Sequence, residues 1–488
     1  MKASRLVVAV TVTGSLLLAA CGGGGGSSGG GGTAGDDRAP KAYDVNPQPR
    51  DKVKDGGTLR WGINEFPAQW NRNHVDGNLA MAAVVSNALL PSPFLSDEKA
   101  EITVNDNYVI DARVTERRPE QVVTYTLNPK ARWSDGSPIT WADYRTQWRA
   151  LNGRDPDFRI ASSTGYQDIG QVARGKDDFQ VVVTFDRPFG DWQSLFSPLL
   201  PAATNRTPES FNNAWLNKIP ASAGPFKFGG FTFNGSSELL KDRDVRLAVQ
   251  LGIDRQAIAR SDLQGLDWPI ALLNNHFFMN TQEGYRDNAG ELRAYNPARA
   301  KKLLDAAGWQ LAGGGGTVRQ KDGKPLDLRF VVPSGVQVSK AEGELAQSML
   351  AQIGVKLTIK AVPSDDFFSK YVIPGNFDIT PFAYIGTPFP VSSSYGIYAN
   401  APDGKTWNAN FGRVGSAAVD EAMSRAAQSL DPVRARKETN KADRLIWQQV
   451  TVLPLYQRPQ TVATRETLAN AGARGFYDLR YEDIGFMR

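Results

Sequence analysis

One cysteine and two histidines in 488 residues exclude several kinds of chemistry at the outset. With Cys21 as the sole thiol, no disulfide can close within the chain, and stability must come from burial. His74 and His276 stand far apart in sequence, without H-E-x-x-H or paired-histidine spacing, so neither a zinc site nor any other cofactor site is expected. Both are read as ordinary surface or loop residues, since no neighbouring pattern marks a catalytic base. Beyond the first residues the chain lacks an apolar run long enough to cross a bilayer. It also lacks a basic block. The formal charge is +5, with charges of both signs interspersed, whereas a nucleic-acid partner calls for lysine and arginine gathered on one face. The remaining composition, 41% hydrophobic and 22% charged, is that of an ordinary globular protein.

What is present begins with the placement of that cysteine. Lys2 and Arg5 form a basic start, Leu6 to Ala20 an apolar stretch, and Leu18-Ala19-Ala20 supplies small residues directly before Cys21. Residues 1–20 therefore read as a signal peptide. The pattern resembles a bacterial lipobox, in which diacylglycerol alkylates the thiol and the new N-terminus is acylated after cleavage. Each buried CH2 of such an anchor contributes about 0.8 kcal/mol, so two or three chains hold durably. The expectation is a lipoprotein on the outer face of the bacterial cell membrane. Gly22 to Gly35 is almost entirely glycine and serine, and residues 21–56 read as a lipidated cysteine with a flexible tether. Gly25 to Gly29 matches G-x-S-x-G in letters only, because no strand precedes it and no helix follows. A hydrolase finds no other support.

About 450 residues follow, enough for two or three domains. Gly57 to Ile63 and Val122 to Leu127 alternate as strands, and Val181 to Phe185 reads as another. Thr140 is placed to cap a helix over Trp141 to Leu151, with Asp143 in its first turn. Val245, Ala248 and Val249 share a helical face, and Asp254 caps a second short helix. Asn296-Pro297 opens a helix whose stripe is Ala300, Leu303, Leu304 and Ala307, with Gly308 as its stop. From Leu326 to Ile359 an alternating run, a helix bearing Leu345, Met349 and Ile353, the stop Gly354 and a second alternating run make a strand-helix-strand unit. The fold class is α/β with mixed sheets.

Tyr125-Thr126-Leu127-Asn128-Pro129-Lys130-Ala131-Arg132-Trp133-Ser134-Asp135-Gly136-Ser137-Pro138-Ile139-Thr140-Trp141-Ala142-Asp143-Tyr144 resembles the signature block of the peptide-binding family of solute-binding proteins that serve ABC importers. Further blocks agree in order: Ala223 to Lys227, Asp244-Val245-Arg246 with Ile253-Asp254-Arg255, Tyr295-Asn296-Pro297 through Trp309, Gly375 to Ile379, and Leu453 to Tyr456. The resemblance implies a two-lobed, periplasmic-binding-protein-like fold of the class II type, with a central ligand cleft closed by a hinge. It implies a monomeric binding protein, not an enzyme, that captures a small peptide or peptide-like solute and passes it to the ABC permease of the same importer. Residues 57–240 would form lobe I, 241–460 lobe II, and 461–488 a return to lobe I.

Two departures from the family pattern stand out. Thr387 occupies the place where peptide-binding members carry an aspartate for the ligand's ammonium group, which weakens the case for recognition of a free N-terminus. Phe226 to Gly230 also runs straight into Phe231-Thr232-Phe233-Asn234, so a long stretch of lobe I is missing. Its loss would expose a sheet edge or open one wall of the cleft. A second reading follows, a transport-inactive regulatory or scaffolding envelope lipoprotein with the same fold. The candidate ligand contacts are aromatic and amide residues beyond strand ends: Phe66, Trp70 and Asn71; Tyr384, Thr387 and Phe389; Trp407, Asn408 and Phe411. Asp378 reads as structural, and Trp133 and Trp141 as packing of the first lobe.

Overall fold

The computed structural model describes residues 43–488 except 57–66, 68, 79–81, 84–85, 217–227, 385, 406, 408 and 460–461. The expected signal peptide, Cys21, the glycine-serine tract, the strand at 57–63, Phe66 and Asn408 lie outside the described residues.

Alternation along Gln121–Leu127 buries Val123, Tyr125 and Leu127 and leaves Val122, Thr124 and Thr126 half-exposed, as a strand with one covered face requires. This strand, β2, lies between β1 (Val109–Glu116) and β4 (Gln180–Phe185), and β3 (Ile169–Arg174) completes an antiparallel sheet in the order β1-β2-β4-β3. The edge strand β1 exposes Arg113 and Glu116, charges that discourage further pairing. Helix α1 (Trp141–Leu151) covers the sheet. It starts where the sequence places it, with the Thr140 amide donating to Asp143 Oδ2 at 2.8 Å. Asp143 Oδ1 also accepts from the Ala202 amide at 2.8 Å, so one carboxylate fixes both a helix start and a distant loop. Trp133 and Trp141 pack against this core.

The second sheet is mixed. Its strands are β5 (Phe228–Phe233), β6 (Asp327–Pro333), β7 (Lys356–Val362), β8 (Ile379–Tyr384) and β9 (Val452–Gln457), in the order β7-β6-β8-β5-β9. β6 and β7 run parallel from Asp327↔Lys356 to Pro333↔Val362, with helix α5 (Gln337–Ala351) between them in sequence, which is the predicted strand-helix-strand unit. β5 pairs antiparallel with both β8 and β9. The chain thus enters the middle of this sheet at Phe228, ahead of Leu240. One face is covered by α2 (Arg243–Leu251), α3 (Arg255–Asp262), α4 (Pro297–Ala306) and α5, which bury Val249, Ile258, Leu304 and Leu350 with Leu328, Phe330 and Ile379. The predicted caps are in place. Asp254 Oδ1 accepts from the Gln256 amide at 2.9 Å, Asn296 Oδ1 accepts from the Arg299 amide at 2.9 Å, and Gly308 takes a φ of +85°.

Helices α6 (Pro390–Tyr398), α7 (Ala417–Ala427) and α8 (Pro432–Gln449) share one continuous apolar cluster with the first sheet, joining Phe189 and Trp192 to Tyr398, Met423 and Ile446. Gly190 permits the close approach. Its amide donates to the Ala427 carbonyl at 2.6 Å, and a Cβ there would lie 2.2 Å from the Ser429 carbonyl oxygen. The C-terminal segment returns to the start of the described chain: Asp44–Val45 pairs with Gly472–Ala473, Val53 bridges Met487, and the Arg488 amide donates to the Lys52 carbonyl.

The expectation of surface histidines is overturned, because His74 is 1% and His276 2% exposed. His74 Nδ1 accepts from the Asp76 amide at 3.1 Å and caps a short turn, and burial lowers its pKa. His276 Nδ1 lies 2.7 Å from Asp443 Oδ1 and Nε2 lies 3.1 Å from the Val452 carbonyl. The ring is thus held at both nitrogens, between a carboxylate and a backbone carbonyl. Tyr398 and Trp447 enclose it. The pair resembles two-thirds of a catalytic triad, but its outer nitrogen is spent on a backbone carbonyl.

Candidate ligand-binding site

β8 places Phe382 and Tyr384 on one face, two residues apart, opposite the helix-covered side of the sheet. The Phe382 ring meets Phe411 at 5.6 Å, Phe368 at 5.9 Å and Tyr384 at 5.9 Å between centroids. Phe368 belongs to a π-helical turn over Phe367–Val372, a geometry that recurs at functional sites. Phe368 is 40% exposed and Ile373 55% exposed, so this aromatic wall is open on one side. The hydroxyls of Tyr384 and Thr232 share a hydrogen bond of 3.1 Å, and burial pushes the phenol pKa up to about 12. Of the candidates in this region, Tyr384 and Phe411 join the wall. Trp407 is half-buried and donates its Nε1 hydrogen to the Gly404 carbonyl at 3.2 Å.

Thr387 has a local task. Its hydroxyl donates to Ser393 Oγ at 3.0 Å and accepts from the Phe389 amide at 3.1 Å, folding the turn that opens α6, and its carbonyl accepts from Gln282 Nε2 at 2.9 Å. With these bonds made, the side chain has little to offer an ammonium group. Within the first turn of α6, Ser392 Oγ donates to Asp191, a carboxyl whose pKa burial raises.

Trp70 and Asn71 lie apart from this wall. Trp70 is buried with Leu90, Leu200 and Trp215. Asn71 is fully enclosed, donating from Nδ2 to the Phe211 carbonyl at 3.1 Å and accepting the Asn73 amide at 3.0 Å. The structure therefore separates the candidates into an aromatic wall on β8 and a buried pair near the start of the chain. Asp378 is structural as read: it accepts from the Arg329 amide at 2.7 Å and from that residue's guanidinium at 2.9 and 3.2 Å.

Sequence reading missed one buried polar group, formed by Asp262 on α3, Glu342 on α5, and Tyr456 and Arg458 at the end of β9. Tyr456 donates to Asp262 at 2.9 Å, and Arg458 donates to Glu342. Burial, more than any neighbour, pushes the Glu342 pKa up to about 8, so at neutral pH its proton is shared with Asp262. No spacing pattern links residues this far apart. Among the described residues no three metal-ligating side chains gather, and no helix is long and apolar enough to cross a membrane.

The aromatic wall offers a surface suited to binding rather than a set of reacting groups. The model for bacterial extracellular solute-binding proteins, family 5 (middle region), matches residues 109–232 and 228–406, and the chain belongs to this family. The two matched stretches meet at 228–232, where the sequence reading finds the segment missing. The oligopeptide-binding protein OppA of Mycobacterium tuberculosis is 39% identical over 526 residues, covering 91% of this chain and 87% of OppA. Those 526 aligned positions exceed what 91% of a 488-residue chain supplies, so OppA carries residues that this chain lacks. Among solved structures, the periplasmic EDTA-binding protein EppA superposes with a TM-score of 0.79 at 21% identity, covering 92% of this chain and all of EppA. The Bacillus subtilis oligopeptide-binding protein AppA, in complex with a nonapeptide, gives 0.68 at 16% identity over 82% of this chain and 94% of its own. These likenesses show the two-lobed α/β fold of the solute-binding proteins.

Proposed function

We propose that this protein is the solute receptor of an ABC importer, held by a lipid on Cys21 at the outer face of the bacterial cell membrane. It captures an oligopeptide or peptide-like solute between its lobes and delivers it, as a monomer, to the permease. The observation that carries this reading is the 39% identity, over 91% of the chain, to a protein named for oligopeptide binding. The open wall of Phe368, Phe382 and Phe411 supports it, since aromatic faces accept apolar side chains of varied sequence. Thr387 supports solutes without a free ammonium, because a neutral hydroxyl already bonded to Ser393 stands where the family pattern has a carboxylate.

Two tests apply. Native mass spectrometry of gently purified protein, stripped by partial unfolding and returned to a peptide pool, should show an added mass that rebinds. A mass that no peptide moves would sink the transport reading in favour of the regulatory or scaffolding one. Cys21→Ser should shift the protein from membranes to the soluble fraction on cell fractionation, and retention in the membrane would defeat the anchor.

A further inference from the structure

The three rings of the aromatic wall are held in different ways. Phe382 is fixed by the sheet, since β8 pairs with β5 along its whole length, from Ile379↔Phe233 to Tyr384↔Phe228. Phe411 is fixed by the loop that carries it. The Gly412 carbonyl accepts from the Gly235 amide at 2.8 Å, and a Cβ on Gly412 would lie 2.3 Å from the Thr451 hydroxyl, so the missing side chain lets this loop settle against the sheet. Both rings are half-buried. Phe368 stands on the turn outside the sheet and is the exposed member of the three.

That turn has a geometry with a consequence for which side chains meet. The Ile373 amide donates to the Phe368 carbonyl at 2.9 Å, a bond across five residues rather than four. In a regular α-helix, positions five apart diverge by about 140°. The wider π turn takes up one more residue, so positions five apart come round to one face as positions four apart do in an α-helix. Phe368 and Ile373 therefore share the exposed side, while Phe367 and Val372, also five apart, are buried with Val331 and Val362. The planes of Phe368 and Phe382 are 29° apart and those of Phe382 and Phe411 32° apart, an offset arrangement that a further ring can continue. The charged groups beside the turn are engaged elsewhere: Lys370 Nζ pairs with Asp366 at 2.9 Å, Arg413 Nη2 donates to the Ile373 carbonyl at 2.6 Å, and Lys360 lies over the Tyr371 ring. What they leave for a guest is apolar surface.

The turn also lies at the carboxyl ends of parallel strands. It follows β7, and Ser364 Oγ donates to the Ser334 carbonyl just beyond β6 at 2.8 Å. From these ends the chain departs to opposite faces of the sheet, after β6 to the helix-covered face through α5 and after β7 to the other face through the π turn. Open α/β sheets hold ligands at such a point. We propose that Phe368 and Ile373, set beside Phe382 and Phe411, form a specificity subsite that takes one bulky apolar side chain of the solute, an aromatic one above all. This rests on the solute-receptor reading and narrows it to solutes bearing such a side chain. Two of the three rings are ordered beforehand, which lowers the entropic cost of receiving the guest.

Calorimetric titration of the full-length protein with three pools of acetylated pentapeptides tests this. Each pool is built from glycine, serine and asparagine, with one phenylalanine, one leucine or one alanine placed at every position in turn. Wild type should bind the phenylalanine pool at least about tenfold more tightly than the alanine pool, with leucine between, as burial of a large apolar group requires. Phe368→Ala should cut that ratio to about threefold or less and leave affinity for the alanine pool unchanged, a split that general damage to the fold would not give. Phe368→Leu keeps the bulk without the ring and should equalise the phenylalanine and leucine pools, which carries the test if the alanine variant fails to fold. Ile373→Ala should weaken the preference in the same direction. Wild type binding all three pools alike, or a phenylalanine preference undiminished in the Phe368 and Ile373 variants, would overturn the proposal and leave the receptor reading standing. No binding of any pool would remove both. A wild-type dimer in sedimentation that Phe368→Ala abolishes would assign the wall to a second copy of the chain and defeat the subsite.

Discussion

Asp443→Ala should lower the free energy of unfolding by about 3 to 5 kcal/mol, the cost of leaving several buried donors without their acceptor. The carboxylate takes the His276 ring at 2.7 Å and the His276 amide at 2.8 Å through one oxygen, and Asn288 Nδ2 at 2.7 Å through the other. Removing it orphans three donors at a site with no exposed surface. Replacing both His276 and Asp443 with leucine should cost less than Asp443→Ala alone, because the ring and its acceptor are then removed together. Urea unfolding of the two variants beside wild type decides the matter. An Asp443→Ala loss below about 1 kcal/mol would mean that the donors it serves find other acceptors.

The second large effect is a dependence on pH centred on Glu342. Its pKa is raised in the folded state to about 8, above the ordinary glutamate value of 4.5. The folded protein therefore holds a proton that the unfolded chain releases. The stabilising contribution is complete below pH 4.5, is lost progressively as pH rises, and is exhausted above about 8. At about 1.4 kcal/mol per pH unit the loss across this window reaches a few kcal/mol. Glu342→Gln keeps an acceptor for Arg458 and a donor for Asp262 but carries no titrating group. Its unfolding free energy should fall less than that of wild type as pH rises from 5 to 8 and exceed it at the upper end. Parallel pH profiles for the two proteins would reject the assignment. Arg458 and Asp262 adjoin the group and modulate the size of the effect without changing its sign.

Much of the fold was legible because its signals are local. Thr140 with Asp143, Asp254, Asn296 with Pro297, and Gly354 each announce a helix end through bonds that span only a few residues. The parallel pairing of β6 and β7 followed from two alternating runs around one helical stripe. The site was less legible for a physical reason: what a side chain does there depends on partners distant in sequence. Asn71 has the chemistry of a ligand contact, but the Phe211 carbonyl claims its amide. Thr387 departs from the family pattern visibly, yet only the structure shows its hydroxyl committed to Ser393 and the Phe389 amide. The two histidines misled for the same reason, since 167 residues separate His276 from the carboxylate that lets it be buried.

The position of β5 bears on the order in which this chain can fold. It is hydrogen-bonded on both sides, and one of those partners, β9, follows it by more than two hundred residues, with Thr232 set against Val452. A synthesised or translocated chain therefore holds a hydrophobic strand with a vacant flank until residue 457 has emerged. The segment at Asp44–Val53 waits longer still, for Gly472 and then Met487. Such closure across large sequence separation is slow and leaves unpaired edges exposed meanwhile. The first sheet closes within Val109–Phe185 and is not subject to this delay. A nascent molecule thus passes through a state in which one half is sealed and the other half is an open template for mispairing. Loss of the chain from Val452 onward would keep it there.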